Sequence, residues 1–203
     1  MKLQRIAKLC KRARNITIMK HIDQNGEVKC YIGDRAALYA VPGLSDETPD
    51  ETLFTIFDIA KEDQPKYRIN RIDAFKHDWF DAFTETEHGA VDSGISVAYK
   101  GAAVVPFYTE RGSVLLIDPI YLGPFADEIR DTASGLMFVA KEGLNGIVAR
   151  RGLFDDIAVI AAMDPGKAFS SALIELGKTI ERKNGMQEEM QAFRSVMNQE
   201  GER

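Results

Sequence analysis

The stretch from Arg111 to Met163, RGSVLLIDPIYLGPFADEIRDTASGLMFVAKEGLNGIVARRGLFDDIAVIAAM, constrains the fold more than any other part of this 203-residue chain. Ser113–Ile117 is an apolar run of strand length, and Asp118-Pro119 closes it and opens a helical pattern from Ile120 to Asp131. Three β-like runs come next, separated by turn signals at Ala133-Ser134-Gly135, at Gly143 to Gly146 and at Arg151-Gly152. A strand, a helix and three strands in about fifty residues form a compact supersecondary unit.

The N-terminus repeats that order without a leading strand. Residues 2–14 predict a helix whose apolar face holds Leu3, Ile6, Ala7 and Cys10 at the i, i+3, i+4, i+7 spacing, with Asn15 ending it. Ile16–His21 predicts a strand, Asp23-Gln24-Asn25-Gly26 a hairpin turn and Val28–Ile32 its partner. Gly33-Asp34 then turns the chain into Ala36–Val41, which Pro42-Gly43 ends. Between the two units, Thr48 or Asp50 can cap a short helix, and Glu51–Ile59 fits a helix or a strand, its Thr, Ile and Phe content leaning towards strand. Tyr67–Ile72 alternates as a strand does, and Asp73 caps a helix with Phe75, Trp79, Phe80 and Phe83 on one face. Two strands, Ser93–Tyr99 and Ala102–Tyr108, complete the middle. Asp164-Pro165 starts a helical tail with the stripe Phe169, Ala172, Leu173, Leu176 and Ile180, and a second stripe of Met186, Met190, Phe193 and Met197.

The 111–163 unit resembles the half-domain repeated in DNA sliding clamps. There, too, a strand ending in a D-P-x-Y-L type of step enters a helix, as Asp118-Pro119-Ile120-Tyr121-Leu122 does here. The last apolar strand of the clamp unit ends in a methionine and often a proline, as in Ile157–Pro165, IAVIAAMDP. The resemblance covers about a quarter of the chain and carries no catalytic motif. It implies an α+β, clamp-like domain over 1–164, with a first unit at 1–60, an insertion at 61–110 and a second unit at 111–164. The helical tail, 165–203, departs from the clamp pattern. MKLQRIAKLCK…YIGDRAALYAVPGL…ETLFTIFDI also resembles proteins encoded by phages and prophages of Gram-positive bacteria, which supplies context and no activity.

Charge is unevenly spread. The first thirty residues hold eight Lys or Arg against Asp23 and Glu27, a balance of +6, so the overall −5 leaves −11 for the remainder. Lys2, Arg5, Lys8, Lys11 and Arg12 form a positive stripe opposite the apolar face of the first helix. A stripe of this kind meets phosphates, faces solvent, or docks an acidic protein. The clamp resemblance favours DNA, through a non-catalytic replication or recombination accessory protein whose partners include DNA, a phage or host replication protein and further copies of itself. Against a DNA-encircling role, the Ile120–Asp131 pattern carries Asp127, Glu128 and Asp131 with Arg130 alone. The alternative function is a protein-binding or assembly module that uses the Met186, Met190, Phe193 and Met197 stripe, since Met side chains adapt to varied surfaces.

The case for an enzyme is thin, and no cofactor or metal is expected. His77 with Asp73 at i, i+4 lacks a third ligand, and His21 and His88 stand apart. Asp155-Asp156, with Asp164 or Glu142, could hold a divalent cation but also fits a turn. Met163–Lys167, MDPGK, lacks the earlier glycine and the Ser/Thr of a phosphate loop. The longest apolar runs fall far short of a membrane span. The basic N-terminus has no secretory core, and Cys10 and Cys30 read as buried, reduced thiols, so the expected location is cytoplasmic.

Overall fold

The strands of the computed structural model lie almost wholly antiparallel, in one mixed sheet of 11 strands. The structure describes residues 2–22, 26–72, 87–153, 155–176 and 178–179. The chain forms two units, Met1–Asp164 and Pro165–Arg203. The second, where described, is helical from 166 to 176.

The first unit opens with helix α1, Leu3–Ala13, followed by strands β1, Asn15–Ile22, β2, Val28–Gly33, and β3, Ala37–Ala40. Its second half runs through β8, Val114–Ile117, a 3₁₀ segment, Pro119–Phe125, and the short helix α3, Ala126–Arg130. Strands β9, Leu136–Lys141, β10, Gly146–Arg151, and β11, Asp155–Ala161, complete it. Between these halves lie helix α2, Asp50–Ile56, and strands β4, Arg68–Ile72, β5, Glu87–Asp92, β6, Val97–Tyr99, and β7, Ala102–Thr109. The sheet order is β4-β1-β2-β3-β11-β10-β9-β5-β7-β6, with β8 also beside β7. Among the described residues, only β1 and β4 run parallel.

The two halves of the chain meet where β3 pairs with β11, Leu38 lying opposite Val159 and Tyr39 opposite Ala158. Alternation along the strands then builds two faces. Ile16, Ile18, Ile32, Tyr39, Ile147, Ala149 and Ile160 point to the principal core, where Ile6, Leu9 and Cys10 of α1 meet Leu122 and Phe125 of the 3₁₀ segment. Each large apolar side chain removed from water there contributes about 1.5–3 kcal/mol. The buried stripe of α1 is Ile6, Ala7, Leu9 and Cys10, and Leu3 is exposed, so the expected apolar face is rotated slightly. Cys10 and Cys30 are buried and free; burial, with Asp46 nearby, pushes the Cys30 thiol up to about 11.

Several sequence expectations are corrected. Glu51–Ile59 is not a strand: helix α2 covers Asp50–Ile56, because Leu53 and Phe57, at i, i+4, are both fully buried on one side. Asp50 and Glu51 in its first turn complement the helix dipole, and Thr55 folds its hydroxyl back onto the Glu51 carbonyl. The Ile120–Asp131 pattern is not one helix. Asp118 caps a 3₁₀ segment by accepting from the Ile120 N–H, and Pro124 inside that segment cannot donate the α-helical bond. His88 lies in β5, and the run expected from Ser93 to Tyr99 is a strand only at Val97–Tyr99. The aromatic helix with Phe75, His77, Trp79, Phe80 and Phe83 lies outside the described residues.

On the sheet face opposite α1, four charged side chains close on one another. Arg150 and Asp156 are 2% and 1% exposed. The Arg150 guanidinium donates to Glu87 Oε1 and Oε2 at 2.7 and 2.8 Å and, through Nε, to Asp156 Oδ1 at 2.5 Å. Lys141 Nζ donates to Asp156 Oδ2 at 3.0 Å, and two cations thus balance two carboxylates. Burial alone would lower the Arg150 pKa, but the bonds to Glu87 and Asp156 outweigh it and hold the group above its ordinary value. A β-bulge makes this possible. Ala149 pairs with Ala158 but Arg150 pairs with Asp156, so Ile157 is the extra residue and both Ile157 and Ala158 face the core. Without it, Asp156 would point away from Arg150. Asp156→Ala should therefore lower the unfolding free energy by about 3–5 kcal/mol in urea denaturation, because two buried cations lose a shared counter-ion. Asp155→Ala, at the half-exposed pair with Lys29 (2.9 Å), should cost less than about 1 kcal/mol, and equal losses would contradict the buried network.

Candidate nucleic-acid interface

The basic stripe of α1 divides into two parts according to what faces it. At the N-terminal end, the Lys2 N–H donates to the Pro124 carbonyl at 3.2 Å, and the Arg5 guanidinium donates to the Gly123 carbonyl at 2.7 Å. Lys2 Nζ also lies 2.6 Å from Asp127, and Arg5 lies 3.6 Å from it. The acidic residues of α3 thus serve as counter-charges within the chain: Asp127 for Lys2 and Arg5, and Glu128 for Arg151 at 3.5 Å. Lys11 lies 3.5 Å from Asp58. These pairs are largely solvated and each contributes little to stability.

Lys8 and Arg12 differ. Both are exposed, and neither makes an ion pair among the described residues. They lie one turn apart on the same arc, so the unneutralised part of the stripe is Lys8 and Arg12, on either side of the paired Lys11. Arg14 extends it. This residue caps α1 in the left-handed region, with φ 49° and ψ 36°, and its N–H donates to the Lys11 carbonyl at 3.2 Å. Glycine is the usual residue there, and a side chain in that conformation costs about 1 kcal/mol.

Two further arginines come to the same edge from distant parts of the chain. Arg68 opens β4 and lies opposite Asn15 in the parallel pairing with β1. Arg35 occupies the tip of the β2–β3 connection. That connection is held by Asp34, whose Oδ1 accepts from the Ala36 and Ala37 N–H groups at 2.8 and 3.0 Å, while Oδ2 accepts from the Tyr121 hydroxyl at 3.1 Å. Gly33 permits the tight return, since a Cβ there would lie 1.8 Å from the Ala37 carbonyl oxygen. Sequence reasoning singles out neither arginine: each stands alone in its segment, and only the β1–β4 and β2–β3 pairings bring them to Arg14.

The other candidates have different surroundings. Asp156 is buried against Arg150 and Lys141, and Asp155 faces Lys29, so both carboxylates already hold cations of the protein itself. His21 is buried in β1, and Met163 bridges to Leu116 just before the second unit begins. His77 and the Met186, Met190, Phe193 and Met197 stripe lie outside the described residues. No helix among the described residues is long and apolar enough to cross a membrane. No family model, curated protein or solved structure matches the chain.

The Lys2 ammonium, by hydrogen bonding, holds the Asp127 carboxyl below the usual aspartate range, with Arg5 adding to the effect. A depressed carboxyl of this kind stabilises the fold above its unfolded pKa, near 3.9, and that contribution fades as pH falls through the lower folded value. Carbon-detected NMR titration should find the Asp127 midpoint below that of an unstructured aspartate and shifted upward in Lys2→Ala. A midpoint indifferent to Lys2→Ala would mean that the N-terminal half of α1 is not docked on α3.

Proposed function

We propose that this protein is a non-catalytic DNA-binding accessory of phage or prophage replication or recombination, acting in the cytoplasm, with a clamp-like domain. The observation that carries this reading is the charge left over on α1. Lys2, Arg5 and Lys11 face carboxylates of the chain, whereas Lys8 and Arg12 stand exposed without an ion pair among the described residues, and Arg14 follows at the end of the helix. Unpaired cations spaced along one edge suit a row of phosphates, where each neutralised phosphate releases condensed counter-ions. The acidic remainder of the chain does not oppose this, because affinity depends on the local field.

The order of the strands supports the clamp-like part of the reading. In both halves a helical segment precedes three consecutive antiparallel strands. The ladder β1-β2-β3 continues into β11-β10-β9, so the two sets are arranged about the β3–β11 pair. Both helical segments pack on the same face of the sheet. The insertion departs from a plain clamp unit by adding β4 outside β1 and β5, β6 and β7 outside β9. Encircling of DNA is not included, because α3 and the residue that follows it offer Asp127, Glu128 and Asp131 where a ring would need cations.

The test uses duplex DNA and a salt series. Wild type should bind at about 50 mM salt and weaken steeply as salt rises. Lys8→Gln with Arg12→Gln should flatten the slope of log affinity against log salt by about 1.8, two contacts at roughly 0.9 each. Lys2→Gln with Arg5→Gln should leave the slope nearly unchanged. Wild type with no affinity even at low salt would end the DNA reading.

A further inference from the structure

A small cavity lies beside the free end of α1, and three arginines from separate segments line it. Arg14 ends the helix, Arg35 tips the β2–β3 connection and Arg68 opens β4. Asn15, Asp34 and Tyr121 also line the cavity, which has a volume of about 280 Å³. The Arg68 N–H donates to the Arg14 carbonyl at 3.1 Å, so these two residues are fixed against each other by backbone. Arg35 is fixed through the carboxylate of Asp34, which binds the N–H groups on the far side of the turn.

Asp34 is the one carboxylate in the lining, and its oxygens are already occupied by two backbone N–H groups and the Tyr121 hydroxyl. It is also buried. None of the three arginines makes an ion pair among the described residues. Asp63, whose field reaches Arg14, is itself bound by Lys66 at 2.5 Å. Three arginines therefore line one cavity, and the lining is net positive. Like charges gathered without a counter-ion repel, and an anion relieves that repulsion. The guanidinium fork matches phosphate oxygens two at a time, which a lysine cannot do. The cavity, at about 280 Å³, has room for a phosphoryl group. Arg14 also keeps its left-handed backbone where glycine would fit without strain.

We propose that this cavity is a phosphate-binding site formed by Arg14, Arg35 and Arg68. Resting on the reading that α1 lies against DNA, the phosphate is a phosphodiester of the DNA backbone. A free phosphorylated small molecule presents the same chemistry, and the experiment separates the two sources.

The full-length protein is titrated with inorganic phosphate, monitored by calorimetry or ³¹P NMR, and separately with duplex DNA. Arg35→Gln with Arg68→Gln should weaken phosphate binding by about tenfold or more, since charged hydrogen bonds are lost, while Lys8→Gln leaves it unchanged. Arg14→Gly should also weaken phosphate binding yet raise the melting temperature, because it removes the left-handed strain; this variant cannot be dismissed as misfolded. If the Arg35/Arg68 variant also loses DNA affinity and its salt slope falls by about 1 to 2, the DNA backbone is the source. Phosphate binding that depends on Arg35 and Arg68, with no DNA affinity in wild type, supports the site, assigns it to a phosphorylated small molecule and ends the DNA reading. Wild type that ignores phosphate, with DNA affinity unaltered in the Arg35/Arg68 variant, overturns the site and leaves the α1 reading standing. Phosphate binding that survives both arginine variants overturns it equally.

Discussion

The pairing of β3 with β11 is the contact on which the remaining structure depends. Three residues of β3 meet three of β11, Ala37 with Ile160, Leu38 with Val159 and Tyr39 with Ala158. This short ladder joins segments that lie far apart in the chain, so it closes a long loop whose entropy opposes it. Closure brings together contacts well beyond the ladder itself. Tyr39 comes against Phe125, with ring centroids 5.6 Å apart, and its hydroxyl donates to the Tyr121 carbonyl. Tyr121 in turn reaches Asp34, and the 3₁₀ segment receives the N-terminus of α1. Pairing, aromatic contact and helix docking support one another, as expected of a cooperative fold.

Charge is divided between the two faces of the sheet in different ways. On the face opposite α1, Arg150, Lys141, Asp156 and Glu87 form a group of two cations and two carboxylates. Such a group specifies register, because a slip of one residue would leave charges buried without partners. On the α1 side, Asp127 and Asp58 neutralise the parts of the basic stripe that lie near them. Arg14, Arg35 and Arg68 gather where α1, the β2–β3 connection and β4 converge. The buried network thus concerns folding, and the edge carries the proposed contact.

Much of the fold was legible because its signals are local. The 3.6-residue spacing of Ile6, Ala7 and Cys10 gives α1, and apolar runs bounded by Gly33-Asp34, Gly143 to Gly146 and Arg151-Gly152 give β2, β3, β9, β10 and β11. Helix α2 was legible only as one of two alternatives, because the β-preference of Thr55 and Ile56 leans the other way and the burial of Leu53 and Phe57, which decides it, comes only with tertiary structure. The bulge at Ile157 and the partners of Arg150 were equally invisible, since they depend on cross-strand register. For the candidate site, the stripe of α1 was legible, but its division into paired and unpaired residues was not. Lys2 and Lys8 look alike in sequence; Asp127 distinguishes them, more than a hundred positions away. Arg35 and Arg68 join Arg14 only through strand pairing.

Lysine footprinting of the wild-type protein tests most directly whether the unpaired part of the α1 stripe is the contact surface. The protein is acetylated briefly with and without duplex DNA at low salt, and the modified lysines are quantified by mass spectrometry. DNA should shield Lys8 strongly while leaving Lys2, held at Asp127, and Lys29, held at Asp155, modified as in the free protein. Equal modification of Lys8 with and without DNA, or protection confined to Lys2, would contradict the account.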